Sequence, residues 1–159
     1  ALGALCPPIP EGAVAVKVDP ERVARLSAEI LERVERLAVY TALDLPAFLE
    51  DERNVLSTKM LLVEAVEGAA ALCNHIMARK FRRAPGGFVL CLDELATRLG
   101  WEDPFRQRLR RIARFRNEMI HENREVTPEQ VYRMAREEAG VLWELVARVR
   151  DWLRAEGDI

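Results

Sequence analysis

ERNVLSTKMLLVEAVEGAAALCNHIMARK, residues 52–80 of this 159-residue chain, is the stretch that decides the fold. Its apolar positions recur at spacings of three and four, which is the period of one α-helix: Val55, Met60, Val63, Val66, Ala70, Cys73 and Met77. We predict a long helix from about Glu52 to Lys80, with these positions on its core side. Its interior is rich in alanine and contains Gly68, which favours close packing of another helix there.

The other predicted helices begin and end at recognisable signals. Asp19 is suited to cap a helix whose first turn contains Pro20. Gly100 is a natural residue to end one. Thr127 and Gln130 have the spacing of a capping box. The remaining predicted helices cover about 20–41, 88–99, 103–120 and 128–153, and 43–50 is predicted to be a connector or a short turn of helix.

The pattern predicts an all-α fold, an antiparallel bundle of four to five helices. We find no strand candidate in the body of the chain, no repeat and no low-complexity tract. Residues 1–18 differ, because Pro7, Pro8 and Pro10 interrupt regular structure there. We therefore predict a short, extended N-terminal arm at 1–18 and one helical domain at 19–159.

Composition narrows the classes of protein. The chain has 24 Lys+Arg and 26 Asp+Glu, a net charge of −2, so overall charge does not indicate a partner. The three cysteines have no CxxC spacing, which favours reduced thiols and a cytoplasmic protein. With only two histidines, a zinc site is not expected, nor any other metal or cofactor. No apolar run is long enough to span a membrane, and 1–10 lacks the basic start of a signal peptide.

The segment Arg116-Asn117-Glu118-Met119-Ile120-His121 carries the most chemistry. Arginine can hold a phosphate through two hydrogen bonds and keeps its charge. Histidine can both accept and donate a proton near neutral pH. Together they are what an enzyme needs to cleave RNA through its own 2′-hydroxyl group without a metal.

The surroundings of this segment are basic. Eleven basic and four acidic residues lie between Arg79 and Arg116, which could attract an RNA backbone. Arg110 and Arg114 are candidate RNA-binding residues. Arg116 itself falls in the middle of the apolar face of its helix, so it needs a partner or a polar cleft.

Each of these residues also has a purely structural interpretation. Arg116 can be an ion-pair residue, with Glu64 or Glu67 of the long helix as its partner. A histidine just after a helix often interacts with the helix dipole. An arginine-rich helix is most often a solvated face, and His75 suits a hydrogen-bonded core or interface position better than a catalytic one.

The order of these features resembles the HepT-like group of the HEPN superfamily. Arg116-Asn117 followed by His121 matches its arginine–polar–x–x–x–histidine signature, and a capped helix follows at 126–132. Upstream, the group typically has a glutamate on an apolar helix, an Asn-His pair and an Arg-x-Pro break. Glu64 or Glu67, Asn74-His75 and Arg83–Pro85 are similar to that pattern. The resemblance covers about residues 20–155.

The resemblance implies an endoribonuclease toxin that acts as a homodimer, with the motif near the subunit interface. Its partner would be a minimal nucleotidyltransferase antitoxin. On that basis His121 is the general acid or base, Arg116 holds the scissile phosphate, and Asn117 orients one of them. The expected product has a 2′,3′-cyclic phosphate, and no metal is needed.

One position departs from the family pattern. Many HepT proteins have a tyrosine two residues after the histidine, to which the partner adds AMP, but this chain has Asn123. Either the partner blocks the cleft by binding, or this member has lost the toxin role. A second hypothesis is therefore a non-catalytic subunit that docks a nucleotidyltransferase and presents or gates its substrate. A third is a structural dimer in which Arg116 is only ion-paired.

Overall fold

The helices of the chain follow the predicted order. The computed structural model describes residues 16–121 and 125–159, and this part of the chain contains no strand. The elements are α1 (Pro20–Thr41), α2 (Leu45–Glu50), α3 (Glu52–Phe81), α4 (Phe88–Arg98), α5 (Asp103–Ile120), α6 (Pro128–Arg133), a π-helical segment (Met134–Glu138) and α7 (Gly140–Ala155). The all-α bundle is confirmed. Residues 1–15 of the predicted arm lie outside the described residues.

The predicted helix ends are formed by local hydrogen bonds. The Asp19 side chain accepts from the backbone N–H groups of Glu21 and Arg22 at the start of α1. Thr127 and Gln130 form both hydrogen bonds of a capping box at the start of α6. Gly100 follows α4 with a positive φ of 68°, a conformation that glycine adopts without steric cost. Because a cap depends on a few neighbouring residues, these ends were readable from the sequence.

Helix α3 is the centre of the bundle and packs most extensively against α1. A Cβ atom at Gly68 would lie 3.1 Å from Cγ1 of Ile30, which is fully buried on α1. The predicted close approach at Gly68 is thereby confirmed. The nearby small residues Ala65 and Ala69 are also fully buried.

One predicted core residue is on the surface. Met60 is 56% exposed, whereas Leu62 is fully buried, as is the side chain of Thr58. Residues two positions apart differ by about 200° around a helix, so Met60 and Leu62 lie on nearly opposite sides. Because α3 is apolar on most of its circumference, its periodicity alone did not select the buried side.

The predicted last helix is divided. The N–H group of Ala139 donates to the carbonyl oxygen of Met134 at 3.1 Å, an i→i+5 bond that widens the turn. This π-helical segment separates α6 from α7. Such a turn adds a single residue, and the apolar spacing of three and four stays recognisable across it. The spacing therefore did not reveal the break.

The C-terminal turn is held against α3 by a buried ion pair. The Lys80 ammonium lies 2.9 Å from Asp158 Oδ2, with side chains 6% and 2% exposed. Lys17 Nζ donates to the carbonyl oxygen of Gly157 at 3.0 Å. Cys73 and Cys91 are free thiols in the core, where burial raises the pKa of Cys73, while Cys6 lies outside the described residues. None of the helices in the described part is long and apolar enough to cross a membrane.

Candidate active site

Arg116 is held rigidly on the last turns of α5. Its Nη2 lies 2.6 Å from Oε1 of Glu67 on α3, and its side chain is only 13% exposed. The guanidinium carbon lies 4.1 Å from the ring centre of Phe88, at the start of α4. Of the two carboxylates expected as partners, Glu67 is therefore the one, while Glu64 binds Arg33 of α1 at 3.2 Å.

The guanidinium group of Arg116 is not fully satisfied by the described residues. Its Nη1 donates to Oδ1 of Asn117 at 3.4 Å, the long limit of a hydrogen bond. Its Nε is buried and has no hydrogen-bond partner among the described residues. A buried donor without a partner costs about 1–3 kcal/mol. The packing of α3 and α4 around Arg116 therefore maintains an arrangement that its hydrogen bonds alone do not explain.

His121 lies at the C-terminal end of the same helix and is exposed. Its backbone N–H group donates to the carbonyl oxygen of Asn117 at 3.0 Å, and its own conformation is no longer helical. Toward the described residues the imidazole makes no hydrogen bond. Five residues of helix correspond to roughly 7.5 Å of rise, so the backbones of Arg116 and His121 lie more than one turn apart at the same end of α5.

Most arginines of the basic segment are paired with carboxylates. Arg106 and Arg110 both approach Oδ1 of Asp93 on α4, at 3.3 Å and 2.6 Å. Arg108 binds Glu144 of α7 at 3.0 Å. Their charge is thus offset locally, and Arg110 is less available to RNA than the sequence suggested.

Arg114 differs from its neighbours on α5. It is exposed, and toward the described residues it makes no ion pair. It lies two positions before Arg116 and one before the buried Phe115. Of the two predicted RNA-binding residues, Arg114 is therefore the one whose charge remains open to solvent.

The second histidine has a different environment. His75 is buried on α3, and its Nε2 accepts a hydrogen bond from the backbone N–H group of Asp19 at 3.0 Å. This agrees with the structural interpretation of His75. In the parts of the chain that are described, no three His, Cys, Asp or Glu side chains are grouped to hold a metal ion. Asn123, the position of the family tyrosine, lies outside the described residues.

Phe88 is the contributor to the site that the sequence did not indicate. It packs against the core and places its ring over the guanidinium group of Arg116. Arginine stacks on aromatic faces, with a stabilisation of about 0.5–2 kcal/mol. The sequence indicated only that Phe88 begins a helix after Gly86-Gly87, and this position does not show which residue it contacts.

One comparison with known proteins identifies a family, and a second identifies a shared fold. A family model described as ribonuclease HepT-like matches residues 30–149. A tri-AMPylated HEPN toxin of Shewanella oneidensis, solved in complex with MNT antitoxin, aligns over 84% of this chain and 99% of its own, with a TM-score of 0.75 and 16% identity. A toxin–antitoxin solved with AMP-PNP aligns over 82% and 98%, with a TM-score of 0.73 and 17% identity.

A further structural neighbour is a protein of unknown function. A cytosolic protein of unknown function from Bacillus subtilis, YutE, aligns over 89% of this chain and 94% of its own, with a TM-score of 0.72 and 17% identity. At these identities the three structures show a shared fold. The comparison with curated proteins found no significant match.

Proposed function

The chain belongs to the ribonuclease HepT-like family, and on that premise we propose that it is the endoribonuclease toxin of a toxin–antitoxin pair. The observation that carries the proposal is that one end of α5 holds both an arginine fixed by Glu67 and an exposed histidine. Arg116 and His121 are the proposed catalytic residues, and Asn117 is their supporting residue. The reaction assigns charge stabilisation and proton transfer to side chains, so it needs no metal.

Arg116 is suited to bind the scissile phosphate. Glu67 and Phe88 fix the plane of its guanidinium group, so little side-chain entropy is lost when a phosphate oxygen binds. The Nη1 edge makes only the long contact to Asn117 and is the edge that a phosphate oxygen would take. The orientation of Arg116 before binding is what electrostatic stabilisation of a transition state requires.

His121 is suited to move the proton. As general base it takes the proton of the 2′-hydroxyl group, whose oxygen then forms the new bond to phosphorus. The bond from phosphorus to the 5′-oxygen breaks, and that oxygen leaves with a proton, so the product is a 2′,3′-cyclic phosphate. One imidazole cannot accept and donate in the same step. A second copy of His121 would supply the other proton transfer.

An exposed apolar stripe supports a homodimer. Leu56 and Met60 are each 56% exposed on α3, and Val39 of α1, which lines a groove with Met60, is 69% exposed. Met60, Glu64 and Glu67 follow at spacings of four and three, so they share one side of α3. The stripe of Val39, Leu56 and Met60 therefore leads directly to the partner of Arg116. Burying it between two copies would bring the two motifs close together.

RNA is the proposed substrate, and Arg114 is the residue proposed to hold its backbone beside the motif. Arg114 is exposed and keeps its charge available, whereas Arg110 is paired with Asp93. Single strands can contact such residues through phosphate oxygens without sequence preference. We expect Arg114→Gln to weaken RNA binding, and Arg110→Gln to have a smaller effect.

A minimal nucleotidyltransferase is the proposed antitoxin partner. The support is the similarity of fold to the toxin of Shewanella oneidensis that was solved with MNT antitoxin. That toxin is tri-AMPylated, but Asn123 has no hydroxyl group to accept AMP at the family position. We therefore propose that the partner neutralises this chain by covering the motif rather than by modifying Asn123.

The test is cleavage of total cellular RNA by the purified protein in excess EDTA. The wild type should degrade defined RNA species and leave 2′,3′-cyclic phosphate ends. His121→Ala and Arg116→Ala should abolish cleavage, while His75→Gln, which changes the other histidine, should not. Intact RNA with the folded wild type, alone and as a dimer, would sink the nuclease proposal.

A specific observation favours the second candidate, a non-catalytic docking subunit. Arg116 is already paired with Glu67 at 2.6 Å, as a structural residue would be. On this interpretation the chain binds a nucleotidyltransferase and presents or gates its substrate. Stable complex formation without RNA cleavage, with all variants folded by circular dichroism, would be its signature.

A further inference from the structure

A cleft away from the motif is lined by donors of hydrogen bonds. It lies between the first turn of α1 and the C-terminal third of α3 and has a volume of about 420 Å³. His75, at its base, is eight residues along α3 from Glu67, roughly 12 Å of helix. The cleft is lined by Asp19, Arg22, Asn74, His75, Ala78 and Arg79.

The hydrogen bond of His75 fixes its tautomer. Its Nε2 accepts from the backbone N–H group of Asp19 at 3.0 Å, so Nε2 carries no proton and Nδ1 must carry it. Burial, with the neighbouring Arg22 and Arg79, holds the pKa of His75 below its usual range, which keeps the ring neutral. The Nδ1–H group has no acceptor among the described residues. His75 as a whole is 9% exposed, so the cleft is the side from which an acceptor can reach this donor.

Three other side chains add donors to the same cleft. Arg22 is exposed and makes no ion pair toward the described residues. Arg79 uses Nε to hold the carbonyl oxygen of Lys17 at 2.9 Å, which leaves its Nη groups. The Oδ1 atom of Asn74 accepts from Cys91 Sγ at 3.2 Å, so its NH₂ group is the part that can donate to a ligand.

The one acidic residue of the cleft is already engaged. Asp19 accepts from the backbone N–H groups of Glu21 and Arg22 through Oδ1, so the free N–H groups at the start of α1 are used internally. The helix end is therefore not itself the binding feature. Arg22 and Arg79 against Asp19 leave a net charge of +1 among the side chains that line the cleft.

We propose that this cleft binds a phosphate monoester, with Arg22 and Arg79 on its oxygens and the Nδ1–H group of His75 as a third donor. Guanidinium groups match phosphate oxygens in geometry and charge. The volume exceeds that of one phosphate group, so the cleft has room for an organic group attached to the phosphate. The site holds whether or not His121 is catalytic.

The experiment measures the nitrogen-15 chemical shifts of the two histidine side chains in the full chain by NMR. The chain has only two histidines, so the His75 signals can be assigned with His75→Gln and followed beside those of His121. The probes are inorganic phosphate, ribose 5-phosphate, and a short 2′-O-methyl RNA with a 5′-phosphate, which cannot be cleaved. Ribose 5-phosphate should shift the His75 signals saturably, with Nδ1 remaining protonated.

Matched variants separate a site from general attraction. Arg22→Gln should raise the dissociation constant for ribose 5-phosphate roughly tenfold, as expected for a lost charged hydrogen bond. Arg25→Gln removes the same charge one turn later on α1, from a side chain that is 62% exposed and pairs with Glu29, and should leave binding unchanged. His75→Gln keeps an acceptor for Asp19 but removes the Nδ1–H donor, and should also weaken binding.

The outcomes are distinct. A shift of His75 with the oligonucleotide and not with ribose 5-phosphate would support the site and identify nucleic acid as the source of its phosphate. Shifts of His121 alone would overturn the proposal while leaving the proposed nuclease intact. Equal effects of Arg22→Gln and Arg25→Gln, or no shift of His75 with any probe, would overturn it as well.

Discussion

Removal of the Glu67 carboxylate should uncouple Arg116 from α3. Exposed ion pairs contribute about 0.2–1 kcal/mol, whereas removing one partner of a buried pair costs about 3–5 kcal/mol. Here the arginine side chain is 13% exposed and the glutamate 46%, so the pair lies between these limits. We expect Glu67→Ala to lower the free energy of unfolding by about 1–2 kcal/mol. Glu67→Gln should cost less, because its amide oxygen still accepts a hydrogen bond.

The assay is a double-mutant cycle in urea, with Arg116→Met as the second change. Methionine keeps an unbranched side chain over Phe88 but removes the charge. The coupling between Glu67 and Arg116 should be about 1–2 kcal/mol, well above the roughly 0.3–0.5 kcal/mol within which independent changes add. Glu64→Gln is the matched control. Glu64 lies one turn before Glu67 on α3 and pairs instead with Arg33 of α1, and the side chains of Glu64 and Arg33 are 43% and 29% exposed.

Kinetics would then separate positioning from stability. If Glu67 only stabilises the fold, Glu67→Gln should leave the cleavage rate unchanged below its melting temperature. If it orients Arg116, kcat should fall while KM does not rise, because a repulsive charge near the phosphate is lost at the same time. A coupling energy near zero would refute the argument that Glu67 fixes Arg116, whatever the kinetics show.

Three further outcomes are expected. Met60→Asp should dissociate the proposed dimer in light scattering yet change monomer stability by less than about 0.5 kcal/mol, while Trp143→Asp, 46% exposed on α7, should leave it intact. The pKa of His75 is lower in the folded chain than in the unfolded chain, so below about pH 6.5 the unfolded chain binds a proton more readily at this residue. The free energy of unfolding in urea should therefore fall as pH drops, and His75→Gln should make that fall less steep. Asp158→Asn removes the buried partner of the Lys80 ammonium and leaves it only the half-exposed Glu156 at 3.9 Å, so it should cost about 2 kcal/mol in urea unfolding, compared with less than about 1 for Glu156→Gln.

The parts of the fold that sequence predicted well are those that depend on neighbouring residues. Asp19, Gly100 and the capping box at Thr127 act within one turn, so their effects are local. The division of the last helix at Met134–Glu138 is different, because a π turn leaves the apolar spacing almost unchanged. The exposure of Met60 was also beyond the sequence, since a helix with apolar residues on most sides does not say which neighbour will cover each side.

The site shows the same division between local and tertiary information. Helical spacing alone places Arg116 on the apolar face of its helix, and a charged residue there needs a partner. The choice of Glu67 over Glu64 depends on how far α5 slides along α3, and the contact with Phe88 depends on where α4 begins. Spacing within one helix cannot supply either distance. The tautomer of His75 likewise follows from a hydrogen bond to a residue 56 positions away.

An arginine that already has a carboxylate partner is suited to stabilise a transition state, although it binds a ground-state phosphate only weakly. Its charge is largely offset by Glu67 in the free protein, so a singly charged phosphodiester gains little from approaching it. In the proposed reaction, attack by the 2′-oxygen builds up negative charge on the phosphorane oxygens, and the interaction with the same guanidinium group would then strengthen. Interactions that strengthen in the transition state raise kcat, whereas equal binding of substrate and transition state does not. In the basic segment, Asp93 and Glu144 pair with arginines farther from His121, whereas Arg114 beside the motif makes no ion pair with the described residues.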